Sequence, residues 1–70
     1  MSKVTAPLPG RIMSLKVKPG DTVAKDQKLF VMEALKMENV ILSREDGTVQ
    51  EIYVPEGADV DTGDDVMEIV

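Results

Sequence analysis

The chain repeats itself at one fixed offset, and that repeat limits what its 70 residues can fold into. A shift of 37 places Gly10 on Gly47 (47 − 10 = 37), Gly20 on Gly57, Val17 on Val54 and Val23 on Val60. It also places Ile12 on Val49, Leu15 on Ile52, Leu29 on Val66 and Phe30 on Met67, and no gap is needed. Residues 4–33 and 41–70 therefore read as two copies of one unit, joined by 34–40. Neither copy can bury an apolar side alone. Packed about an approximate two-fold axis, the two share one core and hide each other's strand edges.

Each copy is cut into short pieces by turn residues. Pro7, Pro9-Gly10, Pro19-Gly20, Asp46-Gly47, Pro55-Glu56-Gly57 and Gly63 punctuate segments rich in Val, Ile, Leu and Met. No stretch of helical length keeps apolar residues at i, i+3, i+4 and i+7 free of glycine or proline. The expected fold is all-β, with strands near 3–6, 11–17, 22–24, 28–34, 37–43, 48–54, 58–60 and 65–70. Alternation breaks between Ile12 and Leu15 and at the matching place between Val49 and Ile52, which predicts a β-bulge in each copy. The expected core is Ile12, Leu15, Val17, Val23, Leu29, Val31, Ile41, Val49, Ile52, Val54, Val60, Val66 and Ile69. Phe30, Met32 and Met67 have no assigned side, because the run 29–32 is apolar throughout.

Composition excludes several kinds of chemistry. There is no cysteine and no histidine, so disulfides, thiolate sites, His-based triads and His–metal sites are out of reach. The net charge of −5 argues against nucleic acid as a partner. Residues 1–36 hold seven bases and three acids (+4), and residues 37–70 hold one base and ten acids (−9). Asp59, Asp61, Asp64 and Asp65 are read as a solvated surface or as acids that steer a basic partner. Their spacing fits no calcium loop, so no metal site is expected. No apolar run approaches a membrane span and the N-terminus does not read as a signal peptide, so one soluble cytoplasmic domain spanning 1–70 is expected, with no membrane insertion.

One stretch stands out at the join. The runs 28–32 and 39–42 read as strands so close in sequence that a tight hairpin must connect them, with Lys36 in its bend. Around it stand Glu33, Ala34, Leu35 and Met37. A hairpin tip has little core to join, so Met32, Leu35 and Met37 are expected to form an exposed docking surface. Glu33 is read either as a solvated strand-end carboxylate or as a recognition group. A lysine amine is nucleophilic only when neutral, and Glu33 and Glu38 favour the charged form. Lys36 thus suits modification by an enzyme that brings an activated acyl group, and no residue is expected to be catalytic.

The run Glu33-Ala34-Leu35-Lys36-Met37 resembles the biotin attachment motif, usually Glu-Ala-Met-Lys-Met, of the biotinyl (biotin carboxyl carrier) domain family. Leu35 departs from the usual methionine. Val4-Thr5-Ala6-Pro7, Pro9-Gly10 and Val17-x-x-Gly20-Asp21-x-Val23 look like the start and second turn of biotinyl and lipoyl domains. Ser43-Arg44 and Ala58 depart from the family pattern, in turns. The resemblance implies a flattened β-barrel of two four-stranded antiparallel sheets with the lysine hairpin at one end. The segment from Val17 to Thr22 is too short for the thumb loop of some members. The resemblance further implies biotin in amide linkage to Lys36, attached by a biotin protein ligase from biotinyl-adenylate. The biotin would then swing a carboxyl group between biotin carboxylase and carboxyltransferase subunits or domains of a carboxylase, decarboxylase or transcarboxylase. Two rivals share the fold. One is a lipoyl carrier of a 2-oxo acid dehydrogenase-type complex, which usually has Asp before the lysine and Ala after it. The other is an adaptor like those in the membrane-fusion proteins of efflux pumps, which needs no lysine tip and sits within long helical hairpins.

Overall fold

The computed structural model describes residues 2–70. Eight strands are present: β1 Ser2–Thr5, β2 Gly10–Leu15, β3 Thr22–Val23, β4 Lys28–Ala34, β5 Met37–Leu42, β6 Gly47–Ile52, β7 Asp59–Val60 and β8 Asp65–Ile69. They form two four-stranded sheets, ordered β1-β8-β6-β3 and β5-β4-β2-β7, in which every pairing is antiparallel. A shift of 37 residues carries β2 onto β6, β3 onto β7 and β4 onto β8, and brings the C-terminal part of β5 onto β1, so the second sheet order becomes the first.

Irregularities repeat as well. The β2–β4 register shifts between Ile12 and Ser14, and the β6–β8 register between Val49 and Glu51. Met13 and Gln50 are thus the extra residues of the two bulges foreseen from the broken alternation. A second pair was not legible in the sequence. The β4–β5 register shifts between Lys28 and Phe30, and the β1–β8 register skips Val66 between Asp65 and Met67. A bulge sets two consecutive side chains on one face, so Leu29 with Phe30, and Val66 with Met67, all point inward and are fully buried.

That bulge corrects the expected core. After Leu29 the phase of β4 flips, so Phe30, Met32 and Ala34 face inward while Val31 lies half-buried on the outer face. Leu15, Ile41, Ile52 and Val54 pack against the core without being fully buried. Ile12, Val17, Val23, Leu29, Val49, Val60, Val66 and Ile69 are buried as expected, and Ala6, Phe30, Met32, Ala34 and Met67 join them. With each large apolar side chain contributing roughly 1.5–3 kcal/mol on full burial, this one cluster is the chief support of the domain.

The turns after β2 and β6 depend on backbone conformation. Gly20 and Gly57 sit at φ 94° and 88°, where a side chain is strained, although a Cβ at either would meet nothing within 4 Å. Each glycine N–H donates across to the opposite half: Gly20 to the Val49 carbonyl at 2.8 Å and Gly57 to the Ile12 carbonyl at 2.7 Å.

Candidate functional site

The hairpin between β4 and β5 is closed by the pair Ala34↔Met37, which leaves a two-residue turn of Leu35 and Lys36. Both turn residues are left-handed, at φ 56° and 63°. Two positive φ angles define a type I′ turn, whose twist matches that of the strands it joins. Asn and Gly are the usual residues there, so this turn holds leucine and lysine at a cost of roughly 1–2 kcal/mol each. Long strands anchored in the core below make the turn hold. Asn39 helps at the exit, its Nδ2 donating to the Met37 carbonyl at 3.1 Å.

The resulting display is sharply divided. Leu35 is 83% exposed and Met37 67% exposed, and Lys36 and Glu33 are exposed beside them. Ala34 and Met32 point into the barrel and are buried. Met32 therefore does not belong to the tip surface expected for it. The bulge at Leu29 puts it in phase with Phe30 and makes it part of the core. The apolar collar of Lys36 is Leu35 and Met37 alone.

Beneath the tip the backbones crowd. A Cβ on Gly10 would fall on the Glu33 carbonyl oxygen, and it would lie 3.1 Å from the Met32 Cε. Glycine at this place lets β2 support β4 at its last turns before the hairpin. On the outer side Glu33 faces Glu38 directly across β4–β5, and Arg11 lies opposite Glu33 on β2. The Arg11 guanidinium turns instead to Asp59, with Nε at 3.3 Å from the carboxylate. Neither Glu33 nor Glu38 has an ion-pair partner among the described residues.

Among the described residues Lys36 has no ion-pair partner. Its side chain is exposed at the crest of the hairpin, where an enzyme can approach it. No group of described residues is arranged to hold a metal ion. The remote carboxylates serve the turns instead, as where Asp64 accepts the Asp61 N–H at 2.9 Å.

Comparison with known proteins agrees with this geometry. Residues 2–69 match the biotin/lipoyl family described as "Biotin-requiring enzyme", and the chain belongs to that family. It is 48% identical over 66 residues to pyruvate carboxylase 1 of Caenorhabditis elegans, covering 94% of this chain and 6% of that protein. It is 45% identical over 64 residues to the biotin carboxyl carrier protein of Streptococcus mutans, covering 91% of this chain and 49% of that protein. The chain thus spans about half of that carrier protein and a small part of the carboxylase. Among solved structures, the lipoyl domain of the 2-oxoglutarate dehydrogenase complex from Azotobacter vinelandii superposes with a TM-score of 0.88 at 25% identity, covering 100% of this chain and 96% of that one.

Proposed function

We propose that this domain is a biotin carboxyl carrier, with biotin in amide linkage to Lys36. The observation that carries the reading is a free lysine at the crest of a left-handed two-residue turn, collared by Leu35 and Met37, in a member of a biotin-requiring family. In the attachment step the neutral Lys36 amine attacks the acyl carbon of biotinyl-adenylate held by a biotin protein ligase. The new C–N bond replaces the C–O bond to phosphate, AMP leaves, and the amine gives up a proton. The charge at Nζ is lost and a long flexible arm is gained.

The domain itself performs no chemistry on the carboxyl group. It carries the biotin ring from a biotin carboxylase site, where carboxyl is loaded, to a carboxyltransferase site, where it is unloaded. The carboxylase and carrier-protein relatives support biotin over lipoate as the attached group, whereas the barrel alone fits both. Peptide mapping after treatment with a biotin ligase, biotin and ATP tests the reading. Biotin is expected on Lys36 and on none of Lys3, Lys16, Lys18, Lys25 or Lys28. A product with Lys36 bare and another lysine modified would sink it.

A further inference from the structure

The internal repeat supplies a reference surface for the outward positions below the hairpin tip, because each has a mate 37 residues away on the same backbone. The inward positions match in character: Ile12 with Val49, Leu29 with Val66, Phe30 with Met67. Four outward positions of the lysine-bearing sheet do not. Val31 has Glu68 as its mate, Met13 has Gln50, Val40 has Lys3, and Leu42 has Thr5. On the sheet that bears the hairpin, all four are apolar.

These residues are contiguous. Val31 and Val40 are directly opposite on β4 and β5, and on β2 Val31 lies opposite Ser14, next in the chain to the bulge residue Met13. Met13, Val40 and Leu42 are 43%, 46% and 44% exposed. The mate face is closed by its own polar contacts: Lys3 pairs with Asp65 at 3.3 Å, and the Tyr53 hydroxyl donates to Glu68 at 2.7 Å. Since the same backbone folds with charged residues there, folding does not require the apolar ones. Toward the tip the apolar strip is rimmed by Glu33 and Glu38, a directly opposed like-charge pair that opposes pairing of the strands. At its other end Lys28 lies opposite Leu42.

We propose that this face, centred on Met13, Val31 and Val40, is where the enzyme that acylates Lys36 docks. The docking enzyme would present an apolar surface whose basic rim meets Glu33 and Glu38. The inference rests on Lys36 being the attachment lysine. Reach selects this occupant. An unmodified lysine extends only by its own four methylenes, so the acylating active site must close onto the hairpin and its body then covers β4 and β5. Once biotin is attached the arm is longer, and later partners act on the ring farther from the sheet.

The test gives the face the residues of its own mates, in the triple variant Met13→Gln, Val31→Glu and Val40→Lys of the full chain. Loading by a biotin ligase is followed by intact mass. KM for the carrier is expected to rise about tenfold or more, with kcat within about twofold. A Gln50→Ala, Glu51→Ala control on the opposite face should leave both constants unchanged. Variant protein loaded to completion with excess ligase should pass carboxyl at the normal rate. If the triple variant is unfolded by urea titration, Val40→Lys alone, on the edge strand, repeats the measurement. An unchanged KM in the variant, with a wild-type chain that loads normally, overturns the docking face but leaves Lys36 as the attachment point. An unchanged KM with carboxyl transfer lost assigns the face to a carboxylase domain instead. Concentration-dependent sedimentation of wild-type protein, absent in the variant, assigns it to a second copy of the chain. If the wild-type chain does not load at all, the carrier reading fails first.

Discussion

Asp26 and Gly63 hold the same left-handed backbone conformation in the two halves of the domain, at φ 71° and 87°, and they are 63 − 26 = 37 residues apart. Their N–H groups donate to mated carbonyls at 2.8 Å, Asp26 to Ser43 and Gly63 to Ala6. One copy uses the residue suited to that conformation and the other tolerates aspartate in it. Asp26→Gly should therefore leave stability unchanged or raise it by up to about 1 kcal/mol, and Asp26→Val should cost about 1–2 kcal/mol. Urea midpoints decide this. A loss on Asp26→Gly as large as on Asp26→Val would mean that the aspartate side chain, not the backbone, matters at the turn.

Gly20 and Gly57 are expected to resist substitution through φ alone, since open space surrounds both. Gly20→Val and Gly57→Val should each lower stability by about 1–3 kcal/mol. Gly20→Asn should recover about half of the loss, because asparagine visits the left-handed region more readily. Equal losses for valine and asparagine would point to a steric cause that the open surroundings do not provide.

Tyr53 provides a pH-dependent readout. Its hydrogen bond to Glu68 comes first, then burial, then the charges of Glu68, Glu51 and Asp65, and together they push the phenol from 10.0 up to about 12. A raised folded-state value means that the stabilisation is complete below pH 10 and is lost as pH climbs through 12. Tyr53→Phe should accordingly flatten the alkaline end of the stability curve. The chain has one tyrosine and no tryptophan, so tyrosinate absorbance reports this residue alone. A midpoint near 10 would contradict the Glu68 contact.

At the tip, function and stability should move separately. Lys36→Arg keeps the charge and removes the primary amine, so biotin loading should vanish while stability stays within about ±0.5 kcal/mol. Leu35→Met keeps an apolar collar and should load normally, with any gain confined to carboxyl transfer. Leu35→Asn should ease the left-handed turn and raise stability by up to about 1 kcal/mol while slowing loading. Mass spectrometry and urea titration on the same samples separate the two effects, and loading that follows stability across the set would remove the collar's role.

Strand number, the hairpin and the first pair of bulges were legible because glycines, prolines and broken alternation mark them. The inward phase of β4 was not. In the uniformly apolar run from Leu29 to Met32 nothing distinguishes an extra residue from a regular one, so alternation counted from Leu29 puts Val31 inside and Met32 outside. The turn type was hidden too, since neither asparagine nor glycine announces positive φ at Leu35 and Lys36. The apolar outer strip did leave a trace: the repeat fails in character at Val31 and Glu68 and at Val40 and Lys3, and mismatches within a repeat deserve the same scrutiny as its matches.

The left-handed crest also bears on what counts as a substrate. A free peptide with the residues from Glu33 to Met37 would have to drive both Leu35 and Lys36 out of their preferred conformations, at about 2–4 kcal/mol for the two. That corresponds to roughly 30- to 700-fold in effective affinity. In the folded domain this cost is already met before any enzyme arrives. The barrel is therefore a pre-organising scaffold as well as a holder: it turns an unexceptional pentapeptide into a shape that an acylating enzyme can tell apart from every flexible lysine around it.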